Sequence, residues 1–252
     1  MLAILDRKTQ QDDENRAVWR HLFERQSRLV QRRACPEFLA GLKRLDFSPD
    51  RVPDLEQVSD QLEAITGWRL APVDGFLDDG SFFRYLAARR FPVTWWLRPW
   101  AKLDYLQEPD LFHDLFGHVP LLSHPVFANY MQAYGEGGLK AERLGALDMI
   151  ARLYWYTVEF GLIDQGDGPR IHGAGILSSK GEVLHSLDAP LPMRRPFDLK
   201  RILRTRYHID RFQSTYFVIS SFEQLFAATA PDFTALYAEL AGLPEYDPED
   251  RL

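Results

Sequence analysis

Glu108-Pro-Asp-Leu-Phe-His-Asp-Leu-Phe-Gly-His-Val-Pro120 places His113 and His118 five residues apart in a run that is otherwise mostly apolar. Further on, Tyr154-Trp-Tyr-Thr-Val-Glu-Phe-Gly161 sets a single acid, Glu159, among aromatic and β-branched neighbours. An ionised carboxylate in such surroundings is costly unless it is paired or binds a metal. Two imidazoles and one carboxylate form a ligand set for non-heme ferrous iron, with positions left open for oxygen chemistry; the same donors also suit zinc or manganese. An ion pair, for instance with Arg152, is the ordinary alternative for Glu159. A hydrogen-bonded imidazole is the ordinary reading of any lone histidine, and His21, His124, His172, His185 and His208 keep it. Asp114, next to His113, competes as a ligand or as a ligand's partner.

The spacing of the two histidines needs a mechanism. An α-helix turns about 100° per residue, so residues five apart do not share a face. Gly117 and Pro120 bracket His118. Glycine leaves helical geometry cheaply, and proline biases the residue before it away from the helix. The expectation is a helix that ends near Gly117, with His118 swinging back toward His113.

Composition narrows the field. The chain has 252 residues, a net charge of −6 and a pI near 5.7. Such a surface repels phosphates, and no dense basic cluster offers a nucleic-acid track. The paired basic residues at 32–33, 89–90, 194–195 and 200–201 are short and scattered. Cys35 is the only cysteine, which excludes disulfide frameworks and multi-cysteine metal sites and fits a reducing, cytoplasmic setting. No apolar stretch approaches the roughly 20 residues needed to span a membrane, and the first residues lack a signal peptide's pattern. Neither a GxGxxG nor a P-loop pattern is present, and Ser178-Ser179 lacks a nucleophile elbow.

Along the chain, residues 1–14 are expected to be a leader and residues 15–252 a single catalytic domain. Apolar periodicity predicts helices over 15–30, 35–45 and 55–66, the last stopped by Gly67. Ser81 is expected to cap a helix through residue 89. Residues 91–97 read as a strand and 110–116 as one or two helical turns. Further helices are expected over 127–134 and 142–160, the latter the longest and carrying Glu159. A hairpin of 171–177 with 182–187 is expected around the turn 178–181, and a strand over 216–220. Helices over 198–204, 222–228 and 233–241 complete a mainly α fold with a few short strands.

Taken together, Glu108-Pro-Asp-x-x-His-Asp-x-x-Gly-His-Val-Pro120, Tyr154-Trp-Tyr-Thr-Val-Glu-Phe-Gly-Leu162 and Gly173-Ala-Gly-Ile-Leu-Ser-Ser179 resemble the tetrahydropterin-dependent aromatic amino acid hydroxylases, with the bacterial members closest in look. Three long motifs in the right order make the resemblance specific, and it covers about residues 15 to 240. It implies a mostly helical catalytic domain, with Fe(2+) held by His113, His118 and Glu159. It implies a tetrahydropterin that acts with the iron on dioxygen to convert L-phenylalanine to L-tyrosine. Carried over residue by residue, it implies Arg98 as the grip on the substrate carboxylate and Asp110 as the acid that holds Arg98. Ser178 becomes a hydroxyl near that carboxylate, and Trp155 a wall for the substrate ring. Phe82 becomes the ring that stacks on the pterin, with Gly75 and Leu77 in the flanking loop.

Three positions depart from the animal members. Pro92 stands where they have a histidine near the pterin, Asp114 where they have glutamate, and His172 where a tyrosine is expected. The animal members also carry a regulatory domain and a tetramerisation helix. This length leaves no room for either, so a monomer without such regulation is expected. Tyrosine or tryptophan hydroxylation is the alternative within the family. A zinc hydrolase, or a non-enzymatic protein that retains the fold, is the alternative outside it.

Overall fold

Apolar residues spaced three and four apart build most of this chain into helices. The computed structural model describes residues 2–75, 77–104 and 109–251, with side chains from residue 13 onward. The order is α1 (Leu2–Val30), α2 (Pro36–Arg44), α3 (Leu55–Thr66), β1 (Arg69–Val73), α4 (Asp79–Ala87) and β2 (Arg90–Thr94). A π-helical turn (His113–His118) follows and runs into α5 (Val119–Leu122), α6 (Pro125–Arg143) and α7 (Leu147–Tyr154). A second π turn (Trp155–Glu159) precedes β3 (Leu162–Asp164), β4 (Pro169–Ile171), α8 (Ala174–Leu177) and α9 (Lys180–Asp188). β5 (Met193–Pro196), α10 (Leu199–Ile202), β6 (Thr215–Ile219), α11 (Phe222–Thr229) and α12 (Thr234–Leu240) complete the chain. The mainly α fold with short strands is therefore as expected. Among the described residues, no helix is long and apolar enough to cross a membrane.

The core explains the apolar half of the histidine motif. Leu111, Phe112, Leu115 and Phe116 are all buried. Phe112 and Phe116 stack at 4.9 Å, Trp19 of α1 meets Phe112 at 5.5 Å, and Phe38 of α2 meets Phe116 at 5.7 Å. Burying each such ring contributes about 1.5–3 kcal/mol, so one face of the π turn is anchored while the other is free to carry chemistry.

β1 and β2 pair in parallel, joined by α4, with Arg69 opposite Arg90. The second sheet has the order β4-β3-β6-β5, antiparallel only between β3 and β4. Its hairpin turn spans 165–168, where Asp164 Oδ1 accepts from the amides of Gly166 and Gly168.

Several expected elements differ. Helix α1 begins at Leu2, earlier than the expected start at residue 15; residues 2–14 have no Gly or Pro to stop a helix propagating from 15–30. The cap of α4 is Asp78, whose carboxylate accepts from the amide and hydroxyl of Ser81. The hairpin expected around 178–181 is a pair of helices, because Ser179 caps α9 by accepting from the Glu182 amide at 3.3 Å. The longest helix is α1. The helix expected over 142–160 starts only at Leu147, after Gly145 turns the chain at φ 67.

Candidate active site

The five-residue spacing is solved by a change of helix type. His113–His118 is a π turn, in which hydrogen bonds close from i to i+5 and residues five apart come into register. The Val119 amide donates to the Asp114 carbonyl across that wider loop. The helix therefore does not end at Gly117, as the sequence suggested; it widens and continues into α5. Pro120 has no amide to give and would crowd the carbonyl four residues back, and a widened turn just before it relieves both problems. Gly117 serves close packing instead: a Cβ there would lie 2.9 Å from the Ala174 carbonyl oxygen of α8.

Glu159 ends the second π turn, closed by the Phe160 amide donating to the Trp155 carbonyl at 2.8 Å. The Thr157 hydroxyl bonds back to the Leu153 carbonyl and accepts from Tyr130 Oη at 2.9 Å, which ties this turn to α6. The two π turns bring His113, His118 and Glu159 together, with one donor atom from each within 4.8 Å of the others. His118 Nε2 lies 3.0 Å from His113 Nε2 and 3.1 Å from Glu159 Oε1; His113 Nε2 lies 3.7 Å from Glu159 Oε2. With metal–ligand bonds near ~2.1 Å, neighbouring ligands of an octahedron stand ~3.0 Å apart and those of a tetrahedron ~3.4 Å. The 3.0 Å between the two imidazole nitrogens fits an octahedral edge, while the two Glu159 distances run to different carboxylate oxygens.

Protonation favours the same use. Burial pushes the His113 imidazolium down to about 4, with His118 adding to it against the pull of Glu159, so the ring is neutral near pH 7. Burial is the largest influence on Glu159 and opposes its charge, but the two imidazoles outweigh it and its pKa falls below the usual range. Ser178 then sets the tautomer. Its hydroxyl donates to the Ala174 carbonyl and sits 2.9 Å from His113 Nδ1, so Nδ1–H donates to Ser178 and Nε2 keeps its lone pair for a metal. In this arrangement the Ser178 hydroxyl proton is shared with the Ala174 carbonyl. Asp114 is not a fourth donor. It turns away to accept from the Thr94 amide and hydroxyl at 2.7 and 2.9 Å, fastening the π turn to β2. Burial raises its carboxyl to about 7.

Arg98 and Asp110 pair as the motif implied. Arg98 Nε and Nη2 donate to the two carboxylate oxygens at 2.8 and 2.7 Å, and both residues are buried. Asp110 also accepts from the Arg98 amide at 2.9 Å and the His113 amide at 3.0 Å. One carboxylate thus fixes both the arginine and the backbone of the first candidate ligand. Burial opposes its charge most strongly, but Arg98 and these amides together hold its pKa below the usual range. Among the described residues, the one hydrogen-bond contact of Arg98 Nη1 is a long one of 3.5 Å to the Leu103 carbonyl. Glu108, at the head of the motif, lies outside the described residues.

Phe82 of α4 meets Tyr154 edge-on at 5.4 Å, and Tyr154 in turn lies over His118 at 6.3 Å. Tyr154 therefore links the candidate pterin ring to the candidate iron ligand, a position the sequence reading did not assign. Gly75 and Leu77 lie on the loop between β1 and α4, and a Cβ on Gly75 would meet nothing within 4 Å. Trp155 stacks on Tyr207 at 4.3 Å, and its indole donates to Gln213 at 2.9 Å. Tyr207 and Gln213 were also missed; more than 50 residues separate them from Trp155 and no local pattern marks them.

His172 is enclosed, and among the described residues neither ring nitrogen has a hydrogen bond of good geometry, the Leu162 backbone being its nearest polar influence. Burial pushes its pKa down to about 3, against a weak opposing pull from the Leu162 backbone. The folded chain holds this ring neutral while the unfolded chain protonates it below about 6.5. Its contribution is therefore complete above that pH and is lost as pH falls toward 3. Glu182, raised to about 7 by burial, acts in the opposite sense, costing stability as pH rises through the carboxylate range. A His172→Phe variant is expected to gain about 2 kcal/mol on the wild type between pH 8 and pH 5. Urea unfolding of both proteins at the two pH values checks this, and parallel losses would contradict it.

The site so built is that of a non-heme iron, pterin-using oxygenase, and the comparisons agree. The sequence profile of the biopterin-dependent aromatic amino acid hydroxylases matches residues 7–235, and the chain belongs to that family. It is 61% identical over 228 residues to a phenylalanine-4-hydroxylase of Chromobacterium violaceum, covering 90% of this chain and 77% of that protein. The iron- and phenylalanine-bound crystal structure of phenylalanine hydroxylase from that organism superposes with a TM-score of 0.91 at 57% identity, over 95% of this chain and 87% of that one. Its structure with iron(III) and 7,8-dihydrobiopterin gives 0.91 at 58% identity, over 95% of this chain and 86% of that one.

Proposed function

We propose that this chain is a phenylalanine 4-hydroxylase, a monooxygenase that converts L-phenylalanine to L-tyrosine with dioxygen, ferrous iron and a tetrahydropterin. The observation that carries this reading is the convergence of His113, His118 and Glu159 from two π turns onto one point. The His113 and His118 imidazoles and the Glu159 carboxylate would hold the iron. When bound, iron and pterin together activate dioxygen for insertion into the ring.

The remaining roles belong to the chain's own groups. Ser178 keeps His113 in the tautomer that presents Nε2. Arg98, held flat by Asp110, offers Nη1 to the amino acid's carboxylate. Trp155 walls the substrate ring on the side of Glu159. Phe82 stacks on the pterin, and Gly75 and Leu77 leave its edge room beside them. The Tyr154 phenol, kept protonated by burial, fills the space between pterin and His118 without adding charge. On this reading the chain works as a monomer; sedimentation showing a stable oligomer would remove that part.

Arg98→Ala is expected to raise the KM for phenylalanine about 10- to 100-fold, the value of a charged hydrogen bond, with a smaller change in kcat. An unchanged KM would dismiss the carboxylate role. Substrate class is tested by supplying phenylalanine, tyrosine or tryptophan with a tetrahydropterin and oxygen. Tyrosine formation from phenylalanine should dominate; a stronger turnover of either other amino acid would reassign the substrate.

A further inference from the structure

Gln213 is the one buried residue in an otherwise exposed or half-exposed stretch, 206–214. Every polar atom it owns is engaged. Its amide donates to Glu182 Oε1 at 3.0 Å, and its carbonyl accepts from His185 Nε2 at 3.1 Å. Its side-chain nitrogen donates to the His208 and Arg211 carbonyls at 2.9 and 3.3 Å. Its side-chain oxygen accepts from the Trp155 indole at 2.9 Å. Glu182 is itself buried, and its second oxygen accepts from Tyr216 Oη. At the N3 position of α9 a glutamate commonly bonds back to the cap; this one instead reaches across to the loop.

Among the described residues, the Trp155 ring otherwise meets Tyr207 at 4.3 Å and Phe160 at 4.6 Å. Stacking tolerates rotation of the indole in its own plane, whereas the N–H bond does not. A flipped indole would leave both its N–H and the Gln213 oxygen unpaired, which is costly away from water.

We propose that Gln213, braced by Glu182, is a positioning residue that sets the Trp155 indole and thereby the fit of the substrate ring. The inference rests on Trp155 being the substrate wall, as in the function proposed above. Gln213 touches neither substrate nor iron on this account; it acts through one hydrogen bond to a group that does. Glu182→Gln keeps an acceptor for the Gln213 amide and should preserve the arrangement, whereas Glu182→Ala should loosen it.

The test is a double-mutant cycle with Gln213→Met and Trp155→Phe. Gln213→Met should raise the KM for phenylalanine about three- to tenfold. It should leave kcat, pterin KM and iron content near wild type, and it should narrow the preference for phenylalanine over tryptophan. In the Trp155→Phe background the same change should add nothing to KM. An unchanged KM in the single variant, or an equal effect in both backgrounds, would overturn the proposal. So would loss of iron together with kcat. If Gln213→Met fails to fold, the wild type suffices: the Trp155 indole N–H resonance, assigned by its absence in Trp155→Phe, should exchange slowly with solvent. Rapid exchange would overturn the proposal, and this readout needs no turnover, so it stands apart from any failure of the proposed activity.

Discussion

Replacing Glu159 by Ala is expected to reduce tyrosine formation to background while leaving the metal-free fold intact. The carboxylate is largely buried, and in the metal-free chain the two imidazoles and the Gly175 backbone offset its desolvation. Removing a charge so placed costs the apo fold little, within about 1 kcal/mol, because an expensive buried ion goes with it. The loss appears when metal is added. A ligand at about a hundred times its Kd stabilises the folded state by about 2.7 kcal/mol. Ferrous iron should therefore raise the Tm of the wild type and leave Glu159→Ala unmoved. A variant that keeps its activity, or an equal iron-induced shift, would remove Glu159 from the site.

Asp110→Ala is expected to have the second large effect, this time on the fold as well. It strands the Arg98 guanidinium in a buried position and frees the His113 amide. Breaking a buried ion pair from one side costs about 3–5 kcal/mol. Arg98→Ala should cost less, because Asp110 retains the amides of Arg98 and His113 as partners. The expected signature is an asymmetric pair. Asp110→Ala lowers Tm, phenylalanine affinity and iron affinity together, and Arg98→Ala mainly lowers phenylalanine affinity. Calorimetry with iron and phenylalanine titrations separates these outcomes, and equal losses from the two variants would contradict the shared role of Asp110.

The residues that meet the metal were legible because their chemistry is local. Two histidines and an acid in apolar runs stand out before any fold is known, and the helices at 35–45 and 55–66 followed from periodicity and from Gly67. The means by which the ligands converge was not legible. Gly117 and Pro120 correctly marked a departure from α geometry, but breaking and widening a helix leave the same sequence trace. The π turn is decided by tertiary contacts: the aromatic cluster beneath Phe112 and Phe116, and the Ala174 backbone against Gly117. The same limit explains the hairpin wrongly expected at 171–187. Short apolar runs broken by Gly173, Gly175 and Gly181 do not separate strand from helix, and Ser179 with the close approach of α8 to both π turns selects helix. Ser178 was placed near the site from the resemblance, yet its partner could be read only once α8 was seen against His113. Trp155, Tyr207 and Gln213 form one unit from residues more than 50 positions apart, which no window along the chain can contain.

The central claim is that the three ligands on two π turns bind iron and that this iron performs the hydroxylation. The most direct measurement is an anaerobic titration of the metal-free protein with ferrous iron, each point then assayed for tyrosine with phenylalanine, tetrahydropterin and oxygen. Activity should rise in proportion to bound iron and level off at one iron per chain, with zinc binding the same site and giving no product. Tyrosine formation that is independent of iron, or activity supported by zinc without pterin, would contradict it.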